Sequence, residues 1–159
     1  MENFGKAVAE LLRQAYSADY YESTWFKDNE PGSSLLQTLD QLTAEQASRT
    51  PPVGRHSVAA HAGHLSFALE ASISWAHDSG EKFDWESSWA RQTVDDAEWR
   101  ELRSELQARI EDWIEYVEDQ NEFKDDDHSR GLLGSIAHAA YHLGAVRQLA
   151  ADMVSHSSD

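Results

Sequence analysis

The sequence predicts an all-α domain, a four-helix bundle with a long crossover between the first two long helices. Three observations carry this. Four long segments repeat apolar residues at spacings of three and four, the period of a helix buried on one face. No segment alternates apolar and polar residues as a half-buried strand does, and no internal repeat is visible. Proline, glycine and clustered small polar residues fall between the periodic segments, so the long segments must pack on one another.

The first helix is expected from about Glu2 to Tyr20, with Phe4, Val8, Leu11, Leu12 and Ala15 on one face and Asn3 as its cap. The stretch ESTWFKDNEPGSS follows as a loop punctuated by Pro31 and Gly32. LLQTLDQL reads as a short helix entered from Ser33 or Ser34, and Thr43 with Gln46 forms a capping box for one further turn. Thr50-Pro51-Pro52 ends helical structure, because proline lacks the donor and restricts the residue before it.

The second long helix is expected from Ser57 to about Asp78-Ser79-Gly80, with His61, His64, Ala68, Ala71 and Trp75 as one stripe. Residues 81–94 read as an irregular connection packed on the bundle, carrying Trp85 and Trp89. The third helix has the clearest pattern: Trp99, Leu102, Leu106, Ile110, Trp113 and Val117, opened by Asp95 with Glu98 three residues on. The acidic run Glu118 to Asp127 reads as a loop. The last helix is expected from about Ser129 to Val154, and Gly63, Ala137, Ala139 and Gly144 would let helices approach closely beside its histidines.

The 159 residues fit one domain, 1–159, with 40% hydrophobic content and six Trp to fill a core. Asp and Glu outnumber Lys and Arg by 29 to 13, a formal net charge of −16. That field repels phosphate backbones and anionic membranes, so neither nucleic acid nor membrane is an expected partner. There is no cysteine, which removes disulfides, thiolate ligands and a cysteine nucleophile. MENFGKAVAELLRQAY is amphipathic rather than signal-like, and no window approaches the ~20 apolar residues of a membrane span. The expected address is cytoplasmic.

Chemistry concentrates in the histidines. His61 and His64 stand three apart in AAHAGHLSF, and His138 and His142 four apart in AHAAYHLGAV, each pair on one helix face. Eight histidines placed at random give roughly 0.4 pairs at separation four, so one such pair is a weak signal. Two pairs, each in a small-residue segment of a core helix, are a stronger one. Two imidazoles at i and i+4 can reach one ion at ~2.0–2.1 Å, and a third from a facing helix completes three ligands. Three protein ligands leave positions for water or substrate, the pattern of catalytic rather than structural zinc. Imidazole suits zinc, nickel, iron and copper alike. His61 is open between a fourth ligand, a proton-transfer residue (the catalytic candidate) and a group behind the ligands. His56, His77, His128 and His156 read as surface residues.

SVAAHAGHL on the second long helix and SIAHAAYHLGAVRQL on the last resemble the DinB/YfiT-like superfamily of metal-dependent proteins. The resemblance implies a four-helix bundle, often a homodimer, holding a divalent metal through one His of the second helix and an HxxxH pair of the fourth. Here these would be His64, His138 and His142, with Leu143-Gly144 following in the family manner; His61 is an addition to that pattern. Relatives include transferases and isomerases that use low-molecular-weight thiols, and others look like metal-dependent hydrolases. The expected function is therefore an enzyme acting on a small molecule, by thiol transfer or by hydrolysis with activated water. A non-catalytic metal-binding dimer, or a bundle with merely buried histidines, is the alternative. With ordinary imidazole titration, metal affinity should weaken below pH ~6.5.

Other candidates read blandly. Glu70 points away from the ligand face, Tyr141 packs between helices, and Trp25, Phe26, Trp85 and Trp89 are loop aromatics over the bundle end. Arg147 pairs with an acid or, less often, holds an anionic substrate. There is no Gly-rich phosphate loop, GxSxG or HExxH.

Overall fold

Helices α1 (Phe4–Tyr16), α2 (Leu35–Asp40), α3 (Ala44–Ala47), α4 (Val58–Ala76), α5 (Asp96–Glu118) and α6 (Asp126–Ser155) account for the regular structure. A single 3-10 turn, Ser87–Trp89, lies between α4 and α5. The computed structural model describes residues 4–17, 24–25, 30–51 and 56–155, and no strand occurs among them. The long helices α1, α4, α5 and α6 form the expected bundle, and the crossover from α1 to α4 carries α2 and α3. Asn3 and Phe26 lie outside the described residues.

The local chemistry explains the boundaries. Thr43 Oγ1 accepts from the Gln46 amide at 3.2 Å while Gln46 Oε1 accepts from the Thr43 amide at 2.9 Å. Ser34 opens α2 in the same way, its amide donating to Gln37 Oε1 at 3.3 Å. Ser57 caps α4 by accepting from the Ala60 amide at 3.1 Å. Asp95 Oδ1 accepts from both the Ala97 and Glu98 amides at 2.8 Å, and Glu98 Oε2 accepts from the Asp95 amide at 2.8 Å. These side chains satisfy donors that a helix start leaves free. Beyond α4 the chain turns through two left-handed residues, Asp78 at φ 53° and Gly80 at φ 68°.

All six residues of the α5 stripe are buried. They pack with Val8 and Leu12 of α1, Leu35 and Leu39 of α2, Leu65 of α4, and Leu132 and Leu143 of α6 in one apolar cluster. Trp99 also donates from Nε1 to the Leu42 carbonyl at 2.9 Å, fixing the crossover to α5. At the other end Gly5 meets α5 backbone to backbone: a Cβ there would lie 2.3 Å from the carbonyl oxygens of Val117 and Gln120.

Several expectations need correction. α6 begins at Asp126, three residues before the expected Ser129, and its first turn takes Asp126 and Asp127 from the supposed loop. Negative charge is favourable at a helix N-terminus, so an acidic run there starts a helix rather than delaying one. Trp75 is half exposed although it continues the His61 stripe, because the end of α4 and the first turns of α6 line an open cavity there, and the ring packs on Phe83 and Trp85 of the following connection. Ala139 is buried, but Ala137 and Gly144 are exposed, and a Cβ added at Gly144 would meet no neighbouring element. No helix of the described residues is long and apolar enough to cross a membrane.

Candidate metal centre

The centre forms where α4 and α6 pack against each other and the 3-10 turn. Successive helical turns bring His138 and His142 to one face of α6, and His64 meets them from α4. His142 Nε2 lies 3.0 Å from His138 Nε2, which lies 3.3 Å from His64 Nε2. One nitrogen from each of the three falls within 4.8 Å of the others, and no further His or carboxylate joins the group among the described residues.

The second nitrogens of two of the rings are occupied. His64 Nδ1 is 2.8 Å from Ser88 Oγ, and His142 Nδ1 is 2.9 Å from His61 Nδ1. Trp89 stacks on His64 at 4.0 Å with 13° between the planes, and on its other neighbour, His56, at 4.0 Å and 20°. Gln92 ties the same region together: its Nε2 donates to His56 Nδ1 at 2.8 Å and to the Trp89 carbonyl at 2.9 Å, while its Oε1 accepts from the Ser57 amide at 3.1 Å.

Burial keeps these imidazoles uncharged. His142 is 1% exposed, His61 6% and His64 9%. Desolvation first, and then neighbouring His56, brings the pKa of His61 from 6.5 down to about 4. Burial and the surrounding imidazoles put His64 at about 4 and His142 at about 2, and burial lowers His138. Neutral imidazole is the form that binds metal.

The donor set fits a divalent transition ion. Tetrahedral donors at about 2.0–2.1 Å from one ion stand about 3.3 Å apart, close to the two Nε2 separations found here. His64 and His142 each have a partner on Nδ1, and a ring that donates from Nδ1 leaves its Nε2 lone pair for an ion.

The structure brings His64, His138 and His142 together as expected and sets His61 directly behind His142. Other assignments change. Tyr141 is 64% exposed and lies edge-on to His142 at 5.0 Å, not between helices, because α6 turns that side toward solvent. His56 is half-buried against Trp89 and His61 rather than a surface residue. His128 is also half-buried, its Nδ1 accepting from the Lys124 amide at 3.1 Å. His77 is exposed as expected, and His156 lies outside the described residues. Glu70 points away from the centre and pairs with Arg109 at 2.8 Å. Of the loop aromatics Trp25 is 83% exposed, whereas Trp89 covers the ligands. Ser88 and Gln92 were not legible as site residues: they sit in a connection with no period, and only its Trp residues marked it.

A cavity of about 420 Å³ opens beside the 3-10 turn, lined by Gly63, Ser66, Phe67, Ser88, Arg91 and Arg109 among others, and it borders the centre at Ser88. No curated protein and no solved structure matches the chain. The family model of the DinB superfamily matches residues 32–146, a span that includes all three converging histidines. The bundle, the histidine triad and this match over well over half the chain agree, and the chain belongs to the DinB superfamily.

Proposed function

We propose that the protein is a metal-dependent enzyme acting on a small molecule, with a divalent ion held by Nε2 of His64, His138 and His142. The observation that carries this reading is the count of donors. Three neutral imidazoles converge, the nearby fourth is spent on His142, and three-ligand sites with open coordination are usually catalytic. When bound, the ion supplies Lewis acidity that turns a thiol or a water into a nucleophile near neutral pH. Zinc and nickel are the ions of this reading, with iron as a further candidate, since imidazole donors accept each of them. A low-molecular-weight thiol in a transfer reaction and water in a hydrolysis are the two nucleophiles in question.

The chain's own residues have separate tasks in this reading. Of the three roles open to His61, its position favours the one that acts through His142: His61 Nδ1 accepts the His142 Nδ1 proton and leaves His142 Nε2 unprotonated. Trp89 shields one face of His64 from water and keeps the ligand nitrogens in a region of low polarity.

Elemental analysis of protein purified without a chelating column tests the reading, wild type beside His138→Ala. The expected result is about one transition-metal ion per chain in the wild type and at least a tenfold loss in the variant. Wild-type protein that stays metal-free after dialysis against zinc and nickel would overturn it. Loaded and metal-stripped protein then enter thiol-transfer and hydrolysis assays side by side, where activity in the loaded form alone is expected.

A further inference from the structure

Ser88 has a single hydroxyl hydrogen, and the structure gives it a destination. Ser88 Oγ lies 2.6 Å from the Trp85 carbonyl, which can only accept. The same oxygen lies 2.8 Å from His64 Nδ1. With the hydroxyl hydrogen committed to Trp85, the contact to His64 requires Nδ1 to be the donor. A neutral imidazole carrying its proton on Nδ1 has its lone pair on Nε2, the nitrogen that faces His138 and His142. The opposite proton order would place hydrogen on Nε2 and close the site to an ion.

The connection holding Ser88 is itself tied down. Ser57 Oγ donates to the Gln92 carbonyl at 2.6 Å, Ser48 Oγ accepts from the Val94 amide at 2.9 Å, and Trp89 lies flat on His64. The 3-10 turn therefore meets His64 twice, at its ring edge through Ser88 and on its ring face through Trp89.

From this geometry we infer that Ser88, aligned by the Trp85 carbonyl, is a positioning residue that sets the tautomer of His64, so that metal binding and docking of the 81–94 connection form one coupled event. The inference rests on the metal-site reading above. Partners behind metal-bound histidines fix ring orientation and proton position, and their loss weakens metal binding by about 10- to 100-fold. Coupling between two binding events is reciprocal, so an ion that benefits from the docked connection must hold it in place by the same factor.

The test joins three measurements on full-length protein. In metal-free wild type, long-range ¹H–¹⁵N correlation should find the His64 proton on Nδ1, and Ser88→Ala should shift it toward Nε2. Zinc affinity, measured by chelator competition, should fall about 10- to 100-fold in Ser88→Ala and return to within about threefold of wild type in Ser88→Thr, which keeps the hydroxyl. Hydrogen exchange of the 81–94 amides should slow when zinc is added to wild type, and slow less in Ser88→Ala. A residue that merely holds the connection would lower the melting temperature without moving the tautomer. A wild-type His64 proton on Nε2, or unchanged zinc affinity in Ser88→Ala, overturns the inference; zinc binding that leaves 81–94 exchange unaltered overturns the coupling. Wild type that binds no zinc overturns the metal reading instead, and the tautomer measurement still decides the role of Ser88. Should Ser88→Ala fail to fold, a wild-type His64 proton on Nε2 still overturns the inference, and unaltered 81–94 exchange on zinc addition still overturns the coupling.

Discussion

His142 shows what burial does to a single ligand. Its pKa falls to about 2, and those of His61 and His64 to about 4, from an ordinary 6.5. Unfolded imidazoles titrate near 6.5, so between that value and about pH 4 the unfolded chain binds protons that the folded chain refuses. The stability these groups contribute is complete above pH 6.5 and is lost as pH falls through that window. Each group held neutral steepens the decline by at most about 1.4 kcal/mol per pH unit. Thermal melts of metal-free wild type and His142→Asn from pH 7 to 4.5 should show a shallower decline in the variant. For the folded protein the same shift has another result. Burial lowers the titration of all three ligand histidines, so zinc affinity should hold to lower pH than ordinary histidines would allow. A competition titration at three pH values checks this. The triad was legible because spacing within one helix turn is a local signal. Ser88 was not, because it reaches His64 across 24 residues in a segment without a period.

Among the elements, helix starts were the most readable feature: Thr43, Ser57 and Asp95 each cap where expected, because capping is decided within four residues. The 3-10 turn had no such signature, and α6 began early because an acidic first turn complements the helix dipole. Glycines separate two kinds of helix environment. Gly5 lets the start of α1 touch the end of α5, and its amide donates to the Gln120 carbonyl at 3.0 Å. Gly5→Ala would drive a methyl into two carbonyl oxygens, and urea denaturation should show a loss of about 1–3 kcal/mol or more. Gly144 lies inside α6 with no atom within 4 Å of an added Cβ. Gly144→Ala should therefore gain up to about 1 kcal/mol by the same measurement, the helix preference of alanine over glycine.

For the whole molecule, the bundle and its crossover were legible because the apolar period of α5 dictates a buried helix and the remaining long helices must cover it. What spacing could not supply was the outward turn of Ala137, Tyr141 and Gly144 on α6, which depends on which face of that helix its neighbours cover. An ion bound only by the folded state stabilises it by mass action, by about 2.7 kcal/mol at a free concentration 100 times Kd. Differential scanning calorimetry should therefore record a zinc-dependent rise in Tm for wild type and none for His138→Ala. The two halves of the triad also lie far apart along the chain, with a sequence separation of 74 between His64 and His138. During synthesis His64 leaves the ribosome long before its partners exist, and it meets them only once α6 has been made and has folded back onto α4. On the proposed metal reading, loading is therefore a post-translational step in the literal sense: a nascent chain stalled before α6 has no three-histidine site to fill.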